Sequence, residues 1–376
     1  MSKPRLLYLY PGAARAARIA DARAGGAPRE FFYGMLGLEA RGYPIVIGDT
    51  HTDPANAAGR TFMSLEILRN RFTKVGWSRA RVNAIQDAFT QNDVAISFTD
   101  GFTIAMGLSA RTLPQTTKRV GGFMGLCDLS ERASPLLRGH VDRTIRKSLS
   151  GLDHIFFFGS ADRHEAIARY GLDPTQTSEF AFGVDTEFWC PGDHLPESED
   201  ILAVGSDPSR DYQTLLSAQI NQRLRILTRL NVTVPPHLTK VDVIHGSLQS
   251  GVLSDRELRD LYRTAQIIAV PLKDVWQPTG QSVTMQAMAC GRPVVLTRGR
   301  GLWDPELLVD GENCLLVPPG DAAAWKTAFE RLSGDPELRA RISAASRKTA
   351  VESFSLQHMN DSAEALVQHA QNSKAP

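Results

Sequence analysis

A glycine-bearing turn that opens a helix is the strongest chemical signal in this sequence. Residues 276–282, WQPTGQS, are polar and turn-forming, with Pro278 and Gly280 among them. Val283, Met285, Ala287, Met288 and Ala289 follow as an apolar helical run, and Cys290-Gly291-Arg292-Pro293 stops it. Gly suits the left-handed cap and Pro cannot continue a helix. Val294-Val295-Leu296 then reads as a short buried strand. The start of such a helix presents free backbone N–H groups and the positive end of a dipole. Amides at Gly280, Gln281 and Ser282 are therefore placed to hold an anion, in an α/β protein most often a phosphate. Two carboxylates offer a second kind of chemistry. Asp100 ends a strand in SFTDGFT, and Asp128 closes the glycine-rich loop GGFMGLCD. Strand-end carboxylates of open α/β sheets face the ligand crevice, although a cap or a solvated acid is the plainer role for each.

The elements that must position these groups alternate along the chain. Leu6 to Tyr10 reads as a strand ending at Pro11-Gly12, and residues 13–24, small and basic, read as a mobile loop or short helix. Gly25-Gly26 precedes a helical period at Phe31, Phe32, Met35, Leu36 and Leu38, capped by Gly42, with a second strand over residues 44–47. Strand, turn, helix, strand is a βαβ unit. Further strands are expected at 93–98, 118–124 and 154–158, with a helix opened by Ser160. A second series follows: strands at 201–204, 241–245 and 267–270, and helices from Tyr212 and Ser254. Pro191, Gly192, Pro196, Glu197, Glu199 and Asp200 read as a linker between the two series. Alternation in both halves predicts two parallel, doubly wound sheets with helices on their faces. Three helical patterns close the chain, over residues 322–332, 336–354 and 356–368.

Composition narrows the class. A length of 376 residues makes two domains the default. Forty-two basic against 41 acidic residues leave a net charge of +1, so no bulk attraction to nucleic acid is expected. The local exception is residues 69–81, where Arg69, Arg71, Lys74, Arg79 and Arg81 surround Phe72 and Trp77. That patch reads either as a peripheral contact with anionic lipid or an anionic acceptor, or as a solvated helix face. The four cysteines, Cys127, Cys190, Cys290 and Cys314, lack metal-ligand spacing, as do the histidines, so no metal and no disulfide framework is expected. A reducing cytoplasm is the simpler location, with the inner face of the membrane as a variant of it. The N-terminal apolar run is too short for a signal peptide, and no stretch reaches the length of a membrane span.

QAMACGRPVV followed by DGENCLLVPPGD resembles the nucleotide-sugar segment of the family 4 retaining glycosyltransferases. That family carries a Glu, seven residues, then Glu-Ala-Met-Ala-x-Gly-x-Pro-Val-Val. Here Pro278 and Gln286 stand at the two Glu positions, so this chain is a variant lacking both carboxylates. FGVDTEFWCPGD, Phe182 to Asp193, is similar to the family's Asn-Gly-Val-Asp-x-x-x-Phe linker, with Phe182 in place of Asn. The resemblance implies the GT-B fold: two Rossmann-like domains facing a cleft, 1–190 on the acceptor side and 191–355 for the donor. The C-terminal helix, 356–376, would cross back to the first domain.

The resemblance also implies roles. AVGSDPSRDYQTLL is similar to the turn whose Arg and Lys clamp the donor diphosphate: Gly205 is kept, Ser206 takes the Arg position, and Arg210 falls close to the Lys. A guanidinium there would bind two oxygens of the departing diphosphate; the plain alternative is a turn arginine paired with Asp207 or Asp211. Gln277, Thr279 and Gln281 would supply sugar contacts, and Gln286 would pair with a ribose diol. Glu306 would hold a base or ribose hydroxyl, or merely start a helix. On the acceptor side, Gly25 and Gly26 match the first glycine turn, and Gly122, Met124 and Gly125 stand where the family has its His-Gly loop. The implied activity is sugar transfer with retention, without metal or other cofactor. The co-substrate would be a UDP-sugar first and a GDP-sugar second, and the acceptor a glycan or lipid-linked hydroxyl. Because both glutamates and the histidine are gone, a nucleotide-sugar-binding pseudoenzyme and a GT-B-fold epimerase or hydrolase stay open.

Overall fold

The computed structural model describes residues 3–192, 198–246 and 253–372. Asp193, Pro196 and Glu197 of the expected linker lie outside the described residues. Among the described residues, twelve strands form two parallel sheets of six. The first holds β1 (Leu6–Tyr10), β2 (Ile45–Asp49), β3 (Val94–Ser97), β4 (Lys118–Phe123), β5 (His154–Phe157) and β6 (Thr177–Glu179), in the order β2-β1-β3-β4-β5-β6. The second holds β7 (Ile201–Val204), β8 (Leu224–Thr228), β9 (Val241–His245), β10 (Ile267–Val270), β11 (Val294–Thr297) and β12 (Leu315–Val317), in the order β12-β11-β10-β7-β8-β9. β1, LLYLY, is buried at every residue, as a parallel strand with both faces covered by helices must be.

Each sheet has a point where strand order reverses, and ligand crevices of open α/β sheets form there, beyond the carboxyl ends of the strands. In the first sheet the point lies between β1 and β3; in the second it lies between β7 and β10. β7 runs into Gly205 and β10 into Pro271, so the turn carrying Arg210 and the loop before Gly280 leave the sheet side by side.

Of the loop or short helix expected at residues 13–24 the helix forms, and one other local expectation is corrected. Residues 13–24 lie mostly in a regular helix, Gly12–Arg23, in keeping with the alanines and arginines that favour helix. The single helix expected across residues 31–38 is broken: Tyr33 and Gly34 are both left-handed, and the helix restarts as Met35–Ala40. A side chain at Gly34 would put its Cβ 2.6 Å from the Cβ of Ala363. The break lets the final helix, Leu356–Asn372, lie against this segment. That helix buries Met359, Ala363, Leu366, Val367 and Ala370 in the first sheet's core. Met359, Leu366 and Val367 each contribute about 1.5–3 kcal/mol by leaving water. Among the described residues, no helix is long and apolar enough to cross a membrane.

Candidate active site

Arg210 lies at the reversal point of the second sheet. Its N–H bonds the Asp207 carbonyl at 3.0 Å, its backbone bridges to Leu272, and only 7% of the residue is exposed. Gly205 is what lets it fold back. A Cβ there would lie 2.1 Å from Arg210 Nε, and the Gly205 φ of 149° is one that side chains disfavour. Neither expected acid claims the guanidinium. The Asp207 carboxylate accepts from Ser209 N at 2.8 Å and Gln277 Nε2 at 3.3 Å. Asp211 caps the following helix through Thr214 N and Oγ1, at 3.1 and 2.7 Å. Among the described residues, Nε and Nη1 of Arg210 have no hydrogen-bond partner. Burial holds the Arg210 pKa below its ordinary value, opposed by Tyr212 and Asp207. A buried cation with unmet donors is costly unless an anion completes it.

The helix Gln281–Ala289 begins beside that cation. Gly280 caps it with φ 87°, and a Cβ on Gly280 would lie 3.3 Å from Arg210 Nη1. The first-turn amides and the guanidinium thus border one small region of positive potential. Thr279 and Gln281 are buried in the same turn, and Ser282 is half-buried. Two glutamines of this segment reach the first sheet's elements. Gln281 Nε2 donates to the Phe158 carbonyl at 2.7 Å, and Gln286 Nε2 donates to Glu30 Oε1 at 3.0 Å. The side chain that the sequence set beside a ribose is therefore turned to Glu30.

Glu30 was not singled out by sequence, where it sits unmarked in PREFF. It is fully buried and also accepts from Trp189 Nε1 at 2.6 Å and Asp185 N at 3.2 Å. Desolvation pushes its carboxyl up to about 7, against the hydrogen bond from Gln286. Glu30 supplies a physical reason for Gln286. A second carboxylate there would face the first in a low-dielectric interior, whereas an amide donates to it.

The cleft between the two halves is about 530 Å³ and is lined by Asp100, Met124, Asp128, Arg132, Lys273 and Gln277, among others. Asp128 closes one side, accepting from Trp276 N at 3.1 Å and Gln277 N at 2.7 Å. Arg132 adds a bond to Gln277 Oε1 at 2.9 Å. Gly125 permits the approach, since a Cβ on it would meet the Gln277 Cβ at 2.8 Å. Asp100 holds Met124 N at 2.7 Å, and burial raises its carboxyl pKa. Burial likewise raises that of Asp128. Both aspartates line the cleft with lone pairs already engaged by backbone amides.

The remaining expected residues scatter. Ser206 Oγ accepts from Arg229 N at 2.9 Å. Gly122 packs on the Phe156 ring, with its carbonyl taking the Thr103 hydroxyl at 3.0 Å. Gly25 and Gly26 terminate the helix Gly12–Arg23, with Gly26 N bonded to the Asp21 carbonyl at 2.8 Å. Glu306 is exposed. A second cavity of about 300 Å³ lies at the carboxyl ends of β1 to β3, among Thr50, His51, Asn70, Trp77, Arg81 and Thr99. Among the described residues, no three His, Cys, Asp or Glu side chains group as metal ligands.

Residues 243–335, which include the turn at Gly280 and the helix behind it, match the family described as glycosyl transferases group 1. That segment is similar to the group 1 glycosyl transferases. The chain is 30% identical over 212 residues to the MMP alpha-(1->4)-mannosyltransferase of Mycolicibacterium hassiacum, covering 53% of this chain and 49% of that protein. It is 27% identical over 233 residues to the D-inositol 3-phosphate glycosyltransferase of Stackebrandtia nassauensis, covering 54% and 51%. The aligned part of the chain spans about half the length of these curated relatives. Among solved structures, sucrose-phosphate synthase from Thermosynechococcus elongatus superposes with a TM-score of 0.71 at 18% identity, over 98% of this chain and 100% of that one. Anabaena HepE in complex with UDP superposes at 0.63 and 16%, over 97% and 100%. The two facing, doubly wound sheets are the GT-B fold.

Proposed function

We propose that this chain is a retaining glycosyltransferase that moves a sugar from a nucleotide-sugar to a hydroxyl acceptor. The observation that carries the reading is Arg210: a buried guanidinium whose Nε and Nη1 have no partner among the described residues, beside the amides of a helix start, at a sheet reversal point. That set suits a diphosphate. Loss of the nucleoside diphosphate builds negative charge on the β-phosphate, and Arg210 with the amides at Gly280, Gln281 and Ser282 would bind it most strongly at that moment. The acceptor oxygen forms its bond to the anomeric carbon as the carbon–phosphate oxygen bond breaks. The departing phosphate oxygen takes the hydroxyl proton on the same face. This route needs neither a metal nor a separate general base. Asp100 and Asp128 act as positioning residues that shape the cleft, and the acceptor, a glycan or lipid-linked alcohol, enters from the first domain. Domain limits at 1–190, 191–355 and 356–376 are part of the same reading, as is contact with the inner face of the membrane.

A thermal-shift panel of nucleoside diphosphates and their sugars, uridine first and guanosine second, with and without magnesium, tests the donor site. Stabilisation by one nucleotide, equal in EDTA, is expected. Incubation with that donor and an alkyl glycoside should then give a product of unchanged anomeric configuration by NMR. A panel with no shift would overturn the reading. One observation favours a second reading, a binding protein without turnover: Gln286, Gln281 and Asp128 all spend their polar groups holding the two halves together. Nucleotide binding with no donor consumed, by transfer or hydrolysis, would select it.

A further inference from the structure

The helix Ala57–Thr73 is amphipathic in the reverse sense. Its inward face is polar: Glu66 and Thr73 are buried, and Asn70 is half-buried. Its outward face is apolar. Phe62, Leu65, Leu68 and Phe72 fall on one stripe at helical spacing and are 40%, 62%, 50% and 66% exposed. With Ile67, this helix holds five of the eight exposed large apolar residues among those described, so the patch is a local feature rather than ordinary surface scatter.

Hydrogen bonds fix this orientation. Glu66 accepts from Ser78 Oγ at 2.7 Å, Arg79 N at 3.0 Å and Ala80 N at 3.1 Å, holding the start of the helix Arg79–Ala84. Asn70 Nδ2 donates to the Trp77 carbonyl at 3.1 Å. Rolling the helix to bury its phenylalanines would bring that carboxylate into the open and strand the amides it serves. The aromatic patch expected at residues 69–81 is thereby divided. Trp77 is core, with Arg69 stacked 4.1 Å from its ring centre and Arg81 paired to Asp53 at 3.1 Å. Phe72 points to solvent with Arg71 and Lys74.

Charge identifies the partner. Arg60, Arg71 and Lys74 are exposed on or beside the stripe, and the only acid of the helix is the buried Glu66. The helix Pro135–Leu149 packs beside it and exposes Leu136, Arg138, Arg143 and Lys147. A second copy of the same surface would oppose cations to cations across a two-fold interface. An anionic bilayer would instead accept the apolar stripe at the acyl boundary and the basic rim at the headgroups. We infer that the outer face of the helix Ala57–Thr73 docks this protein on an anionic lipid surface.

This inference deepens the membrane contact proposed above and rests on that part of the reading, not on sugar transfer, and its test is separate. The full chain is sedimented with vesicles of phosphatidylcholine alone or with phosphatidylglycerol added, at low and high salt. Binding to the anionic vesicles that weakens with salt is expected. Leu65→Ser with Phe72→Ser should weaken it at least tenfold, with Val351→Ser, an exposed apolar site elsewhere, as the unchanged control. Arg60→Gln with Arg71→Gln should reduce both the binding and its salt dependence. All these positions are exposed, so thermal unfolding verifies that each variant folds. Failure of the wild type to bind, equal binding by the serine pair, or a dimer in light scattering that the serine pair dissolves would overturn the inference. Nucleotide binding measured in parallel reports on the donor site alone.

Discussion

Arg210→Met should make the nucleotide-free protein more stable while removing its affinity for a diphosphate. Arg210 as a residue is 7% exposed, and its buried Nε and Nη1 have no partner among the described residues. A buried donor left unmet costs about 1–3 kcal/mol. Methionine reaches a similar distance through the slot left by Gly205 and carries no donor, so the variant should gain about that amount. At about 2–4 °C per kcal/mol for a domain of this size, the melting temperature should rise by roughly 2–12 °C. Nucleotide reverses the order. A ligand at about one hundred times its Kd stabilises by about 2.7 kcal/mol, and a charged hydrogen bond to phosphate contributes about 1.5–3 kcal/mol. Losing two such bonds should weaken a nucleoside diphosphate by over a hundredfold, on the order of 3 kcal/mol or more. Differential scanning fluorimetry with and without 1 mM nucleotide, roughly the excess assumed above, reads both effects in one experiment. A variant that melts lower than wild type without nucleotide would show that the arginine is a structural group, and the anion-site argument would fall. Equal stabilisation of both proteins by nucleotide would move the donor site elsewhere.

Glu30→Gln should flatten the dependence of stability on pH. The carboxyl is raised from 4.5 to about 7 by burial, so its contribution is fully present below about pH 4.5 and is lost as pH rises through 7; the wild type should lose about 3 kcal/mol that the variant does not. Urea titrations from pH 5 to 8 check the difference between the two, and parallel curves would refute the assignment. Asp128→Ala frees the Trp276 and Gln277 amides from bonds of 3.1 and 2.7 Å. Hydrogen exchange in residues 276–281 should quicken roughly tenfold to a hundredfold, in line with about 1.5–3 kcal/mol for a bond to a charged acceptor. Unchanged protection would mean that packing around Gly125, and not the carboxylate, holds that loop.

Much of the frame was legible because parallel strands and capped helices write themselves locally. Ile201–Val204, Ile267–Val270 and Val294–Thr297 are short apolar runs between turn residues, and all three are fully buried strands. Leu224–Thr228 was missed because its buried residues sit in the charged text NQRLRILTRL. Only the neighbouring strands β7 and β9 make it a strand. The helix Ala57–Thr73 was missed because its inward face is polar, so the hydrophobic period points the wrong way. The chemistry divides similarly. Gly280 and the helix behind it were legible from turn and cap residues. Glu30 was not, because nothing near it in the chain marks it.

The sequence by itself determined the helix start at Gly280, the alternation that builds two sheets, and the substitution of Gln286 for a carboxylate. Each depends on residues within a few positions of one another, where backbone preference and capping act. Tertiary structure alone decided that Gln286 serves Glu30, that Nε and Nη1 of Arg210 have no hydrogen-bond partner among the described residues, and that five apolar side chains of one helix stay outside. Those outcomes follow from contacts between residues as far apart as 30 and 286. They depend on which groups can be desolvated together, a condition that only the packing of the two sheets and their helices sets.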